Sequence, residues 1–305
     1  MTSAFRASRR TKELLRREIP GTAAVLADPH DFAAMRRYRT FPFHDHTHYL
    51  RHLEEHLRIR TAQGMRTSLA LFDPTAYAAY CEELGIAPDS VDSRARYTAD
   101  LARNGATLPY AGEPLAQLLP LLVEETGRQA VWDSAATRLA EAGTCRKCGE
   151  DLSQSAFALA TQALKELLDG LGDGTHHLVC SIPAGAPPLL AALRVTSEEG
   201  RHTLSESQSL IFCTVLAAGI AHRTPGGIVS RSTRPEPSSE EATTTAHDTA
   251  RGWALRDGWP EPLTAAQVFT AYCTDITTGD PIPPEHRVDH TAGFPLTRPP
   301  QSHDC

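Results

Sequence analysis

Two groups of residues in this chain have types and spacings that can do chemistry. The first is Cys145-Arg-Lys-Cys148-Gly. Two cysteines so spaced form half of a zinc knuckle, or a redox pair. A redox pair of the thioredoxin kind sits between a strand and a helix, and the segment before Cys145 reads as helix, so zinc is the better chemistry. The second half of such a site has to come from elsewhere. The helix that follows spans roughly 28 Å at 1.5 Å per residue, so His176 and His177 begin at its far end. Cys180 climbs back only about 13 Å at 3.3 Å per residue. Ligands from the histidine-bearing helix, or from Cys81, Cys213 or Cys273, fit better.

The second group is His48, His52 and His56, with His44 and His46 just before them. Successive fours on a helix drift by about 80° in total from 48 to 56, so the three share one face. Imidazoles one turn apart can chelate a divalent cation. His52-Leu-Glu-Glu-His56 also fits H-x-x-E-H, the spacing of inverted zinc peptidases, in which the glutamate is a general base. On that resemblance Glu55 would be the base of a metal-dependent hydrolase. A third ligand is not evident; Glu124, Glu125 and Glu141 are candidates by chain distance alone. Leu50, Leu53 and Leu57 give the same helix an ordinary buried stripe, and the competing expectation is an amphipathic helix with its histidines on the polar side.

These residues need elements to hold them. Residues 151–171 form an amphipathic helix, with Leu152, Ala156, Ala160, Ala163, Leu164, Leu167 and Leu171 at three- and four-residue steps. Asp151 and Gln154 are placed for an N-cap and its capping-box partner, and Gly170 and Gly172 for the stop. The histidines lie on a helix over about 45–63, after a shorter one over 29–38. Residues 65–72 read as a strand, ended by Asp73-Pro74, which opens a helix to Leu84. Asp73 stands where α/β proteins place ligands, but a helix N-cap explains it more simply. A helix over 94–103, a short strand over 107–110 and a long helix from about Glu113 complete this half.

Beyond 145, strands over 177–182 and 189–196 form a hairpin. An apolar helix over 204–221 follows, then strands over 228–233 and 251–255. Gly258-Trp259-Pro260 turns into a last helix over 264–272. The fold expected is α/β in the mixed α+β sense: a helix-rich α/β half over 1–143, and an antiparallel sheet with helices on one face over 144–280. A proline-rich tail, 281–305, is expected to be extended or without order, as are residues 1–10 and the polar stretch 235–249.

Charge and composition narrow the function. The chain is 41% hydrophobic and 22% charged, ordinary for a soluble globular protein. Its net charge of −7 argues against a general nucleic-acid surface. The first residues are basic, so a local contact to nucleic acid through Arg6, Arg9, Arg10, Lys12, Arg16 and Arg17 stays open. Seven cysteines, odd in number in a long chain without a secretory h-region, point to a reducing cytoplasm. The longest apolar run, 210–221, is too short to span a bilayer. No G-x-S-x-G, phosphate loop or H-E-x-x-H occurs in the sequence. The expectation is therefore an interaction or regulatory protein with a protein partner, zinc being the one cofactor suggested. A hydrolase built on His48, His52 and His56 is the first alternative, and nucleic-acid binding through the basic start the second.

Overall fold

The computed structural model describes residues 21–185, 188–234, 248–274 and 278–299. The chain divides into two compact units, Met1–Gln129 and Ala130–Cys305. The sequence put the division after the long helix, near residue 143; the division found lies inside that helix.

The first unit begins with a strand that sequence reasoning missed, β1 (Gly21–Val25). Helices α1 (Pro29–Met35) and α2 (His46–Ala62) lead to β2 (Thr67–Leu71). Then come α3 (Pro74–Glu83), α4 (Val91–Asn104), β3 (Thr107–Tyr110) and the first half of α5 (Leu115–Glu141). The sheet order is β1-β2-β3, with β1 parallel and β3 antiparallel to β2. Both parallel strands are followed within three residues by Asp-Pro, Asp28-Pro29 and Asp73-Pro74, and the reason is the same twice. Asp28 accepts from the His30 N–H at 2.6 Å, and Asp73 from those of Thr75 and Ala76 at 2.7 and 3.2 Å. Each caps a helix whose proline fills a position that needs no donor. The core closes over Phe32, Met35, Leu57, Leu69, Tyr77 and Leu122.

The second unit is built on α6 (Leu152–Leu171), β4 (Gly174–Ile182), β5 (Leu189–Glu198), β6 (Arg201–Leu204) and α7 (Glu206–Ala221). It continues with β7 (Gly226–Thr233), β8 (Asp248–Arg256), β9 (Trp259–Pro262), α8 (Ala265–Tyr272) and β10 (Val288–His290). Its sheet runs β10-β8-β7-β4-β5-β6, with β9 on β8. Alternation along β4 buries His176, Leu178, Cys180 and Ile182 and leaves His177 and Val179 outward. The buried row joins one core with α6 and with α7, whose residues from Phe212 to Ile220 are all buried. The two long helices thus share one face of the sheet. Short α8 packs through Val268 on Ala250 and Val288. Ala250 alternates with the core residue Trp253, so α8 covers the opposite face at β8.

Three details depart from the sequence reading. Residue 204 ends a short strand rather than opening a helix, because Ser205 caps α7 by accepting from the Gln208 N–H. Residues 248 and 249 belong to β8, while 1–10 and 235–247 lie outside the described residues. The tail is the largest departure: residues 288–290 pair with β8 in parallel register, and the chain then crosses the core. Trp253 Nε1 donates to the Phe294 carbonyl at 2.8 Å, and Trp259 Nε1 to that of Leu296 at 3.2 Å. Phe294 lies so close to α6 that a Cβ on Gly170 would stand 2.3 Å from its ring. Proline-rich chain without periodicity is ordered here because its carbonyls satisfy two buried indole donors. No helix among the described residues is long and apolar enough to cross a membrane.

Candidate functional site

Helix α2 is where the histidines stand. Asp45 caps it by accepting from the His48 N–H, and Tyr49 and Leu57 are its buried residues. His48, Glu55, His52 and His56 are exposed. The rings of His48 and His52 lie parallel, 6.4 Å apart, so the spacing does align them. His46 is tied down instead, its Nε2–H donating to the Leu26 carbonyl at 2.9 Å. Glu124 and Glu125 pair with Arg128. Among the described residues, no three His, Cys, Asp or Glu side chains come close enough to hold a metal ion. A cleft of about 610 Å³ borders the histidine face of α2, lined by Leu50, Arg51, Glu55, Ile59 and Leu119 among others. Glu54, which also lines it, is engaged, pairing with Arg58 and accepting from the Leu115 N–H at 3.2 Å.

At the ends of the parallel strands, Asp28, Asp31 and Asp73 interact. Burial, then the charges of Asp28 and Asp73, raise the Asp31 carboxyl above its ordinary value. Asp28 and Asp73 are helix caps, the simpler of the roles open to Asp73.

In the second unit, the cysteine pair forms a tight turn before α6. Thr144 bridges to Asp151; the Cys145 N–H donates to the Glu150 carbonyl at 2.8 Å and the Gly149 N–H to that of Cys145 at 2.8 Å. This closed turn buries Cys145 and leaves Cys148 exposed. Asp151 accepts from Ser153 Oγ and from the Ser153 and Gln154 N–H groups. Those bonds, the Ser153 hydroxyl first, hold its carboxyl below the ordinary value. Cys81, Cys180, Cys213 and Cys273 are buried thiols elsewhere, and burial pushes Cys213 up to about 11 and Cys180 further.

The turn forms one wall of a cleft of about 630 Å³ lined by Ala142, Thr144, Cys145, Arg146, Lys147, Leu152 and Arg223. Arg223 comes from the far end of α7. There the imidazole of His222 donates from Nε2 to the Arg138 carbonyl at 2.7 Å, fixing the end of α7 against α5. Arg223 itself adopts φ 49°, a left-handed conformation that disfavours residues with a Cβ. Three elements therefore converge: the end of α5, the cysteine turn with the start of α6, and the turn after α7. Sequence reasoning found the turn and missed Arg223, because nothing local ties residue 223 to residue 146. The one signal was a non-glycine residue where the stop of α7 calls for glycine.

A further constellation escaped the sequence altogether. Ser197 Oγ lies 2.8 Å from His202 Nδ1, and His202 Nε2 lies 3.3 Å from Asp169 Oδ1. The connectivity is that of a serine nucleophile, base and orienter. Ser197, however, is 1% exposed, so a substrate carbonyl cannot reach its hydroxyl. Ser197 and His202 are cross-strand partners in the β5–β6 hairpin, and Asp169 belongs to α6. The three residues pin the hairpin to the helix. His176 is likewise structural: Nε2 donates to the Gly172 carbonyl at 2.9 Å and Nδ1 accepts from Ser232 at 2.8 Å. Burial lowers its pKa.

One family model matches. It is a domain of unknown function, DUF8829, over residues 8–113. The match lies within the first unit, and the cationic cleft lies outside it. No curated protein and no solved structure matches the chain. The basic residues Arg6, Arg9, Arg10, Lys12, Arg16 and Arg17 lie outside the described residues.

Proposed function

We propose that this chain is an interaction or regulatory protein that acts by holding a ligand, and that the cleft at the Cys145–Cys148 turn is where it does so. One observation carries the reading: separate stretches of sequence converge on one concave surface and bring Arg146, Lys147 and Arg223 to it. Convergence of polar groups from several elements marks a binding site better than any local motif. The hydrolase alternative has less support. Its histidines line up on one exposed helix face, and the described residues add no third ligand. Zinc at Cys145 and Cys148 would likewise need ligands from beyond the described residues. The reading includes a reducing cytoplasm, where the pair stays as thiols.

Hydrogen exchange of the full chain, with and without the low-molecular-weight fraction of a cell extract, tests this. Protection is expected over 142–152 and 219–224, lost in Arg146→Ala/Lys147→Ala, with ester and peptide hydrolysis at background. Protection confined to α2, or hydrolysis abolished by His52→Ala, would put the function in the first unit instead.

A further inference from the structure

We infer that the open edge of β5 pairs with the same edge of a second copy of this chain across a two-fold axis, independently of what the cleft holds. The larger sheet is covered at one side and not at the other. On the covered side, β10 lies along β8 at residues 248–250 and β9 at 253–256. On the other side, β6 lies along β5 only from Val195 to Glu198. Among the described residues, no backbone group pairs with the outer side of residues 189–194.

Which groups are left open follows from the β5–β6 turn. Glu199 and Gly200 take φ 51° and 72°, the two positive values of a two-residue hairpin turn, so Glu198 and Arg201 form its closing hydrogen-bonded pair. Backbone groups alternate sides along a strand, so Thr196 and Glu198 direct theirs to β6. Leu190, Ala192 and Arg194 direct theirs the same way, with no strand beside them. The side chains alternate in step: Leu189, Ala191 and Leu193 are buried, and Leu190, Ala192 and Arg194 are exposed, Leu190 at 42%. Edges are commonly blunted by short length, proline or charge. The other edges of this sheet are: β10 has three residues, β6 four with Arg201 among them, and β9 carries Pro260 and Pro262. The stretch Leu-Leu-Ala-Ala-Leu has none of these devices.

An extended strand is what such an edge takes, and a second β5 fits it in one antiparallel register. The occupant has to stop short of Leu204, which already stands beside Val195. With the axis at Ala191, Leu190 of each copy faces Ala192 of the other, and each pair exchanges both backbone hydrogen bonds. An axis at Ala192 would bring Leu189 of one copy onto the rung that Leu204 holds in the other. An axis at Leu190 would set Pro188, which lacks an N–H, against Ala192. Charge favours the same contact. Residues 130–305 hold 13 Lys and Arg against 21 Asp and Glu, so two copies of this unit repel through most of their surface. From Leu178 to Leu193 there is no Asp, Glu, Lys or Arg, and the first charge after it is the cation Arg194. The two-fold pair leaves no open stretch for a third copy. Residues 189–193 of each copy fall far short of the roughly 20–30 residues a side of a standard interface, so the dimer is weak and its population follows concentration.

Sedimentation equilibrium of the full chain over a concentration series, with hydrogen exchange read at single residues, tests this. Wild type should approach the mass of two chains and go no further, and the Leu190 and Ala192 amides should gain protection over the same range. Leu190→Lys brings two cations to the axis, and Ala192→Pro removes an N–H that no strand of its own chain uses. Each should weaken the dimer at least tenfold. If Ala192→Pro melts lower than wild type, Leu190→Lys alone carries the comparison. A wild type that stays monomeric throughout would overturn the proposal. So would a dimer in which the Leu190 and Ala192 amides exchange freely, or one of unchanged affinity in Leu190→Lys. Growth beyond two chains would overturn the closed two-fold pair.

Discussion

Helix α2 and the Cys145–Cys148 turn make an instructive pair. The helix carries four histidines and three glutamate or aspartate neighbours in a short stretch, the richest set of ligand types in the sequence. It presents His48, His52 and His56 in a row along one exposed side, where the described residues bring nothing from another element to complete a metal site. The turn holds only two cysteines and two cations, yet α5, α6 and the end of α7 converge around it. Chemistry needs groups aimed at one point from several directions, and a periodic row on one helix does not supply that. Residue density along the chain is therefore a poor guide, and spatial convergence a better one.

Substitutions on α2 break or sharpen this contrast most strongly. Leu57 is 0% exposed in the first core, so Leu57→Ala should cost about 2–5 kcal/mol in chemical denaturation. His52→Ala and His56→Ala, at exposed positions of the same helix, should stay within about 0.5 kcal/mol of wild type. A comparable loss in the histidine variants would mean that face is buried or ligated.

Next in size is the cap that joins the cysteine turn to its helix. Asp151→Ala should lower the melting temperature, by less than Leu57→Ala does, because N–H groups at the start of α6 lose their acceptor. The Asp151 carboxyl is held below its ordinary value in the folded state, so its contribution is full at neutral pH and fades as the pH falls through the acid range. Wild type and Asp151→Ala should therefore converge in stability on acidification; a constant gap would contradict the capping role.

His176 titrates with the same outcome for a different reason. Burial lowers its folded pKa, so the unfolded chain binds the proton first as the pH drops below about 6.5. Its contribution is present above that pH and lost below it. The urea midpoint should fall between neutrality and about pH 5, and a flat profile there would mean that His176 is solvated. Smallest of all is the effect on metal: His52→Ala and His56→Ala should leave metal content unchanged in elemental analysis. Loss of one equivalent would move the functional centre to α2.

Much of the fold was legible because period and punctuation agreed. The stripe of α6, its Asp151 cap, the Asp73-Pro74 start of α3 and the β4–β5 hairpin all follow from local rules. The misses are non-local. Strand β1 has five residues and gains its identity only by parallel pairing with β2, some forty residues later. Short β6 exists as the return of a hairpin. Residues 288–296 carry no periodicity and are held by β8 and by two indole N–H groups, which sequence does not announce. The site divides in the same way: Cys145, Arg146, Lys147 and Cys148 could be read together, whereas Arg223 joins them only through the packing of α7 against α5.

The central claim is that ligand binding belongs to the cleft of the second unit and not to the histidine helix. Amide chemical-shift mapping of the full-length chain on addition of the low-molecular-weight fraction of a cell extract tests it most directly. The account predicts saturable shifts confined to residues 142–152 and 219–224. Shifts centred on residues 44–58, with those two segments unmoved, would contradict it.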